Sequence, residues 1–323
     1  MKAIIGDDYG PPSGLRLRDV GTPEPAAGQV LVRVLAAGVH VGDCLVVRGA
    51  PFPVRFATGL RRPRYGVPGF DLAGRVEAVG EGVEGFRPGD EVFGTGDGTC
   101  AEYARTAQER LAPKPSGLTF EEAAAVPTSA ATALRALREV GRLKAGQEVL
   151  INGASGGVGT FAVQIAASLG ARVTGVCGPG NLEMVRSIGA DHVIDYTRED
   201  FTQGARRYDL ILDNVENRPL ADCRRVLAPS GTLLLNSGTG ARGIAMLIRL
   251  AKPLLLSPFT RQGLRRFVVS PKRRDLAALT ELLDSGKVKP VIERTYPLAE
   301  TPAALSHIEG GHARGKVVIT IGQ

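Results

Sequence analysis

The stretch Val149-Leu150-Ile151-Asn152-Gly153-Ala154-Ser155-Gly156-Gly157-Val158-Gly159 constrains this chain more than any other. A short apolar run ends in a glycine cluster, and a helical pattern from about Val158 to Leu169 follows at once. Gly153, Gly156 and Gly159 form a G-x-x-G-x-x-G series across that turn. A turn this tight exposes the first N–H groups of the helix to a diphosphate. A side chain there would hold the ligand away or push the helix off the sheet. In strand–turn–helix context the series predicts a dinucleotide site floored by Gly153, Ala154, Ser155, Gly156, Gly157, Val158 and Gly159. The same residues also spell G-x-S-x-G, Gly153 to Gly157, the nucleophile-elbow pattern of an α/β-hydrolase, with His192, His307 and His312 downstream. That reading leaves Gly159 without a purpose.

Cofactor choice is written further along. An acid about 20 residues past the motif would bind the 2′-hydroxyl of NAD. Here the second strand ends at Cys177, followed by Gly178-Pro179-Gly180-Asn181, and Glu183 comes only in the next helix. The absence of a carboxylate at that strand end favours NADP(H), with Asn181, Arg186 and Tyr196 as candidate phosphate partners; a neutral pocket accepting both cofactors is the alternative. Asn214 follows another strand end and is a candidate on the adenine-ribose side.

The rest of the chain divides by pattern. Residues 1 to about 118 read as β-rich, with strands at Gln29–Ala37, Leu72–Val79 and Glu91–Gly94, the last expected to pair with Cys100–Ala104. Short strands punctuated by Gly and Pro suggest a barrel or sandwich. Gly49 to Gly69 reads as a long Pro-, Gly- and Arg-rich loop, and loops of that length in compact domains are often functional. From Thr119 onward strands and helices alternate, which calls for a parallel sheet with right-handed crossovers. The apolar segment Ala241 to Gly263 is broken by Arg249, Lys252 and Pro253, and reads as a helical excursion rather than a membrane-surface helix.

Composition removes several classes. The 323 residues carry 40 basic and 33 acidic side chains, a net charge of +7. The basic residues are spread out, without the aromatic interleaving of an RNA-recognition sheet, so nucleic acid is not the expected partner. The four cysteines, Cys44, Cys100, Cys177 and Cys223, are too far apart for a local metal knuckle. With no long apolar run and no signal-peptide pattern at the start, a soluble cytoplasmic protein acting on a small molecule is expected.

Several motifs together resemble one family: Gly69-Phe70-Asp71-Leu72-Ala73-Gly74-Arg75-Val76, Val79-Gly80, Pro88-Gly89-Asp90-Glu91-Val92, the glycine motif, and Gly189-Ala190-Asp191-His192-Val193-Ile194-Asp195-Tyr196. The chain is similar along essentially its whole length to the medium-chain dehydrogenase/reductase superfamily, in its zinc-independent quinone oxidoreductase branch. The resemblance implies an α/β protein: a Rossmann doubly wound parallel sheet plus a GroES-like β-barrel catalytic domain, with NADPH in the cleft. On that plan residues 1–120 and 267–323 form the catalytic domain and residues 121–266 the NADP(H)-binding domain.

Zinc-dependent members of the superfamily carry a Cys where this chain has His40 and a His where it has Phe70. With no Cys near Pro127-Thr128-Ser129 either, His40 and Asp71 fall short of the three protein ligands a catalytic zinc needs, and no metal is expected. In the quinone reductase branch an Asn stands at the position of His40, three residues before an Asp that matches Asp43. His40 is the candidate proton or hydrogen-bond donor to a developing oxyanion, with a satisfied structural histidine as the alternative. Asp43 is expected to orient a loop or cap the turn that follows. Tyr65, in the long loop, is a candidate substrate contact. The resemblance also brings Thr132 near the nicotinamide and Ser237 beside the cofactor. Lys316 or Arg314 could face the cofactor from the closing strand, or be plain solvated charges. The implied activity is hydride transfer from NADPH to a quinone or other α,β-unsaturated carbonyl, in a homodimer. A biosynthetic enoyl reductase or alcohol dehydrogenase, and a non-catalytic nucleotide- or RNA-binding member, stand as alternatives.

Overall fold

The computed structural model describes residues 1–64, 66–236, 260–311 and 313–322. Tyr65, His312, Ser237 and most of the 241–263 segment therefore lie outside the described residues.

In chain order, strands β1 (Lys2–Ile5), β2 (Arg16–Asp19) and β3 (Gln29–Val39) lead to helices α1 (Val41–Arg48) and α2 (Val54–Thr58). Strands β4 (Asp71–Val79), β5 (Glu91–Thr95), β6 (Tyr103–Ala107) and β7 (Leu111–Pro113) follow, then helices α3 (Phe120–Ala124) and α4 (Pro127–Arg135). The alternating part runs β8 (Glu148–Asn152), α5 (Gly157–Ser168), β9 (Arg172–Cys177), α6 (Leu182–Ser187), β10 (His192–Asp195), β11 (Tyr208–Asp213), α7 (Leu220–Arg225), β12 (Leu227–Leu235) and β13 (Gly263–Arg266). After the helix Arg273–Asp284 come β14 (Ile292–Pro297), the helix Thr301–Glu309 and β15 (Lys316–Thr320).

Contacts divide the chain into two compact units. One holds Met1–Ala131, Ser270–Gly286 and Pro290–Gln323; the other holds Thr132–Val269 and Lys287–Lys289. Helix α3, which the pattern change at Thr119 places with the second part of the chain, packs on β3 and β4 of the first unit. Its start is nonetheless as written: Thr119 and Glu122 close a reciprocal capping box.

The first unit is built on a seven-stranded sheet in the order β14-β15-β3-β4-β5-β7, with β6 on β3. The long strand β3 pairs with β6 along its first half and with β15 along its second, so it bends around the core of Ile4, Val32, Val34, Leu72, Val92 and Ile319. The expected pairing of Cys100–Ala104 with the Glu91 strand is corrected here. Both edges of β5 are taken by β4 and β7, and β6 starts later and finds β3. The 49–69 stretch is not all loop, since it contains α2.

The second unit is a six-stranded parallel sheet in the order β10-β9-β8-β11-β12-β13. This is the doubly wound order, and it reverses direction between β8 and β11, where such sheets open a crevice for ligands at their carboxyl ends. Strands β8 and β11 are buried along nearly their whole length because the sheet is covered. Strand β13, Gly-Leu-Arg-Arg, was not visible as a strand in the sequence because two of its four residues are charged.

Candidate active site

In the second unit, β8 delivers the chain to Gly153, whose φ of 78° is a left-handed conformation that favours glycine. The N–H groups of Gly153 and Ala154 both donate to the Val176 carbonyl, at 3.1 and 2.9 Å, which folds the turn back onto β9. At Gly159 a Cβ would run into the Gly153 carbonyl and the Ala154 backbone, so only glycine lets α5 start this close to the strand. Gly156 caps α5 with extended backbone and no side-chain hydrogen bond. The first N–H groups of a helix have no acceptor within it, so the end of α5 presents main-chain donors and partial positive charge. A cradle that a Cβ would fill, with bare donors at its rim, fits a diphosphate.

Around this turn the structure gathers other residues singled out in the sequence. Asn181 donates through Nδ2 to Ser155 Oγ at 3.3 Å, and its Oδ1 is buried without a partner. The ring of half-exposed Tyr196 lies over Gly178, where a Cβ would meet it at 3.3 to 3.5 Å. Burial pushes the Cys177 thiol up to about 11, opposed by the positive charge of Arg186, so this sulfur is inert and its role is place rather than reactivity. One carboxylate is present that the sequence reading did not count. Asp195 is the register partner of Cys177 on β10, and its Oδ1 accepts from Thr197 N–H and Oγ1 at 2.9 and 2.8 Å.

At the reversal point, Asn214 donates to the Asn152 carbonyl at 3.2 Å and accepts from Asn236 Nδ2 at 2.8 Å. Asn152 in turn donates to Asp213 Oδ1 at 2.8 Å and Asn217 Oδ1 at 3.0 Å. These amides tie together the carboxyl ends of three adjacent strands. Glu216, at φ 56° and buried, receives Arg266 of β13 through two bonds of 2.8 and 2.7 Å. Asn152, Asn236, Glu216 and Arg266 were not legible as site residues, although amides clustered at strand ends were a usable signal. The elbow reading of Ser155 is not supported here: His192 begins β10, at the end of the parallel sheet away from Ser155. His307 belongs to the first unit, where its Nε2 pairs with Glu293 at 2.9 Å.

In the first unit, His40 is the N-cap of α1. Its Nδ1 accepts the Gly42 N–H at 3.0 Å, and its own N–H donates to Asp43 Oδ2 at 2.7 Å. Because Nδ1 is used as an acceptor, the neutral ring carries its proton on Nε2, and that atom is buried without a protein partner. Asp43 Oδ2 lies 3.6 Å from Nδ1, too far for a hydrogen bond. The imidazole stacks on Phe70 with ring centroids 5.9 Å apart. Asp43 is fully buried and its Oδ1 is unpartnered; burial pushes its carboxyl up, against the opposing pull of His40 and Lys316.

Beside it, Asp71 accepts from the N–H and hydroxyl of Thr128, and Lys316 Nζ lies 3.5 Å from Asp71 and 3.2 Å from Ser129 Oγ. Lys316 is only 1% exposed, which overturns its reading as a solvated charge. Thr132, further along α4, is buried. Among the described residues no group of three or more His, Cys, Asp and Glu is placed to hold a metal ion.

Comparison with known proteins gives a consistent picture. Residues 26–136 match a family model described as an alcohol dehydrogenase GroES-like domain, and residues 188–319 one described as a zinc-binding dehydrogenase. A quinone oxidoreductase from Lama guanicoe is 33% identical over 99% of this chain and 98% of its own length. The 2-methylene-furan-3-one reductase of Solanum lycopersicum is 33% identical over 99% of this chain and 79% of its own. The structure of a quinone oxidoreductase from Coxiella burnetii superposes with a TM-score of 0.86 at 29% identity, over 100% of this chain and 99% of that one. The chain belongs to the medium-chain dehydrogenase/reductase superfamily, in its zinc-independent quinone oxidoreductase branch.

Proposed function

We propose that this chain reduces quinones or other α,β-unsaturated carbonyls with NADPH and without a metal. The observation that carries the reading is Gly159 pressed against the Gly153 carbonyl at the reversal point of the sheet, which leaves the end of α5 open to a diphosphate. Main-chain N–H groups between Asn152 and Thr160 hold that diphosphate. Asn181, with its unpartnered Oδ1, Tyr196 and the nearby Arg186 form the surroundings for a 2′-phosphate. Asp195, whose Oδ1 accepts from Thr197, keeps a negative charge close enough to raise the Cys177 thiol, and Arg186 opposes that charge at the same place. Asn214, held between Asn152 and Asn236, fixes the ribose side, while Thr132, Lys316 and Ser237 complete the cofactor contacts.

The bound nicotinamide supplies a hydride, which is the two-electron part of the reduction. The chain's own contribution is placement and a hydrogen bond. His40 presents Nε2–H to the substrate oxygen as negative charge develops there and keeps that proton, because its Nδ1 is held as an acceptor by the Gly42 N–H; the proton that completes the reduction comes from water. Asp43 acts through the backbone: by accepting the His40 N–H it sets the residue at the head of α1 and thereby aims the ring. Tyr65 is the proposed substrate contact from the 49–69 segment. A conjugated acceptor takes hydride without a Lewis acid, so positioning carries most of the catalysis.

Four free, buried cysteines suit a reducing cytoplasm. The outer strand β13 is where a second copy would extend the sheet into a homodimer, which sedimentation would test. The test of function is a panel of quinones, enones and aldehydes with NADPH and NADH. Oxidation of NADPH by quinones or enones, at a rate above that with NADH, is expected. Cys177→Asp should lower the NADPH-to-NADH ratio about tenfold, a carboxylate at that strand end binding a ribose hydroxyl and repelling a phosphate. No oxidation of either nucleotide by any acceptor would end the reading.

A further inference from the structure

The first unit contains a cavity of about 390 Å³ that none of the steps above uses. Its walls come from α1 through Val46 and Val47, from α2 through Val54 and Ala57, and from Val67 and Phe70 ahead of β4. At roughly 30 Å³ for each water-sized group it has room for about a dozen non-hydrogen atoms, and its size is that of small-molecule sites, about 300–1,000 Å³. An apolar space left empty forfeits contacts, a defect natural proteins retain mainly where function needs it.

Four observations bear on its occupant. Phe70, one wall of the cavity, is also the ring on which His40 stacks, so the space adjoins the proposed hydrogen-bond donor to the substrate oxygen. The acids at its edge are answered, Asp8 by Arg62 at 3.5 Å and Asp97 by Arg110 at 3.1 Å, and Arg64 also lines the cavity, so its walls of Val46, Val47, Val54, Ala57, Val67 and Phe70 suit an apolar group with one cation at hand. The wall is also built rather than loose. Tyr9 bonds the Thr58 hydroxyl at 2.7 Å and donates to the Gly59 carbonyl at 2.6 Å, and the Arg55 guanidinium lies 4.6 Å over the Tyr9 ring. The segment carrying α2 meanwhile exposes Phe52, Phe56 and Leu60, at 60%, 71% and 58%, an apolar strip for a chain longer than the cavity.

Building on the reductase reading, we propose that the cavity is a subsite for the apolar tail of the substrate, and that the substrates are medium- to long-chain 2-alkenones or alkyl-substituted quinones rather than compact ones.

The test separates binding from turnover. Saturated 2-alkanones of increasing length, titrated calorimetrically into the cofactor-free protein, should bind about fourfold more tightly for each methylene that enters the cavity. Val54→Phe and Val67→Phe, which fill the space from α2 and from the chain ahead of β4, should each flatten that dependence. In the full enzyme they should reduce the ratio of kcat/KM for long over short 2-alkenones by at least about tenfold. An affinity independent of chain length overturns the subsite, as does a dependence that survives both substitutions. A chain-length dependence that the substitutions abolish, in a protein that oxidises no NADPH with any acceptor, supports the subsite while removing the reductase reading.

Discussion

Helices α1 and α5 both begin at residues proposed to act on ligands, yet their first turns are finished in opposite ways. The head of α1 is closed: the His40 ring accepts the Gly42 N–H, Asp43 accepts the His40 N–H, and Asp43 is buried completely in doing so. The head of α5 is left open, with a glycine at the cap and no side chain answering its donors. An open end is a binding device made of peptide dipoles, tolerant of sequence except where a Cβ intrudes. A closed end binds nothing itself. It fixes one side chain, and behind it stand the ionisable groups Asp43, Asp71 and Lys316, held out of water. The two should therefore break differently, the first through loss of ligand and the second through loss of stability.

The largest effect is expected at the charged cluster. Lys316→Met removes the cation 3.5 Å from Asp71 and leaves that carboxylate buried with only Thr128 to support it. Breaking a buried pair this way costs about 3–5 kcal/mol, measurable by denaturant unfolding. Adding Asp71→Asn to Lys316→Met should recover much of the loss, since the uncompensated charge is then gone. Equal stability of the single variant and the parent would mean that the pair is not a coupled unit.

Next comes the open turn. Gly159→Val drives a side chain into the Gly153 carbonyl and should weaken dinucleotide binding at least about a hundredfold, read by quenching of NADPH fluorescence. Unchanged binding would show that the diphosphate is held elsewhere.

These two regions also differ in how far the sequence announces them. The turn is readable because its requirement is backbone geometry, and glycine at spacing three, between an apolar strand and a helix, is close to the only way to write it. That the second sheet is parallel follows from the alternation of strands and helices, whereas its strand order does not. The cluster is hidden because its members are ordinary residue types that meet only in three dimensions: Asp71 and Lys316 are 245 positions apart. Lys316 in particular looks like any surface lysine until β15 pairs with β3 and turns it inward. Strand β13 escapes notice for a related reason, since Arg266 earns its place by pairing with Glu216 rather than by being apolar. The cavity beside α2 could not be read at all, because shape is a property of the 49–69 segment folded against α1.

A pH titration sharpens the contrast at α1. Burial raises the Asp43 carboxyl in the folded state above its ordinary 3.8. A raised acid stabilises the fold while it is protonated, below the unfolded value, and that contribution is lost as pH rises through the folded value. Asp43→Asn cannot ionise, yet its side-chain oxygen can still accept the His40 N–H. Its stability relative to the parent should rise across the window that opens near 3.8 and runs upward, as followed by unfolding at successive pH values. A flat difference would mean that the carboxyl titrates normally.

The smallest effect is the most direct trade between the two kinds of helix end. Gly156 has φ −83° and ψ 176°, which any residue adopts, and a Cβ there would meet its nearest atom, the Gly153 carbonyl oxygen, at an ordinary 3.5 Å. Gly156→Ser thus fits without strain and supplies the missing cap, closing α5 as α1 is closed. Serine at an N-cap gains a few tenths of a kcal/mol over glycine, so the melting temperature should rise slightly. The hydroxyl takes up an N–H that the diphosphate would otherwise use, so NADPH affinity should fall severalfold. The two changes have opposite signs because one donor serves both partners. A variant that melts higher and binds NADPH as tightly as the parent would mean that the cap donor and the phosphate donors are different groups.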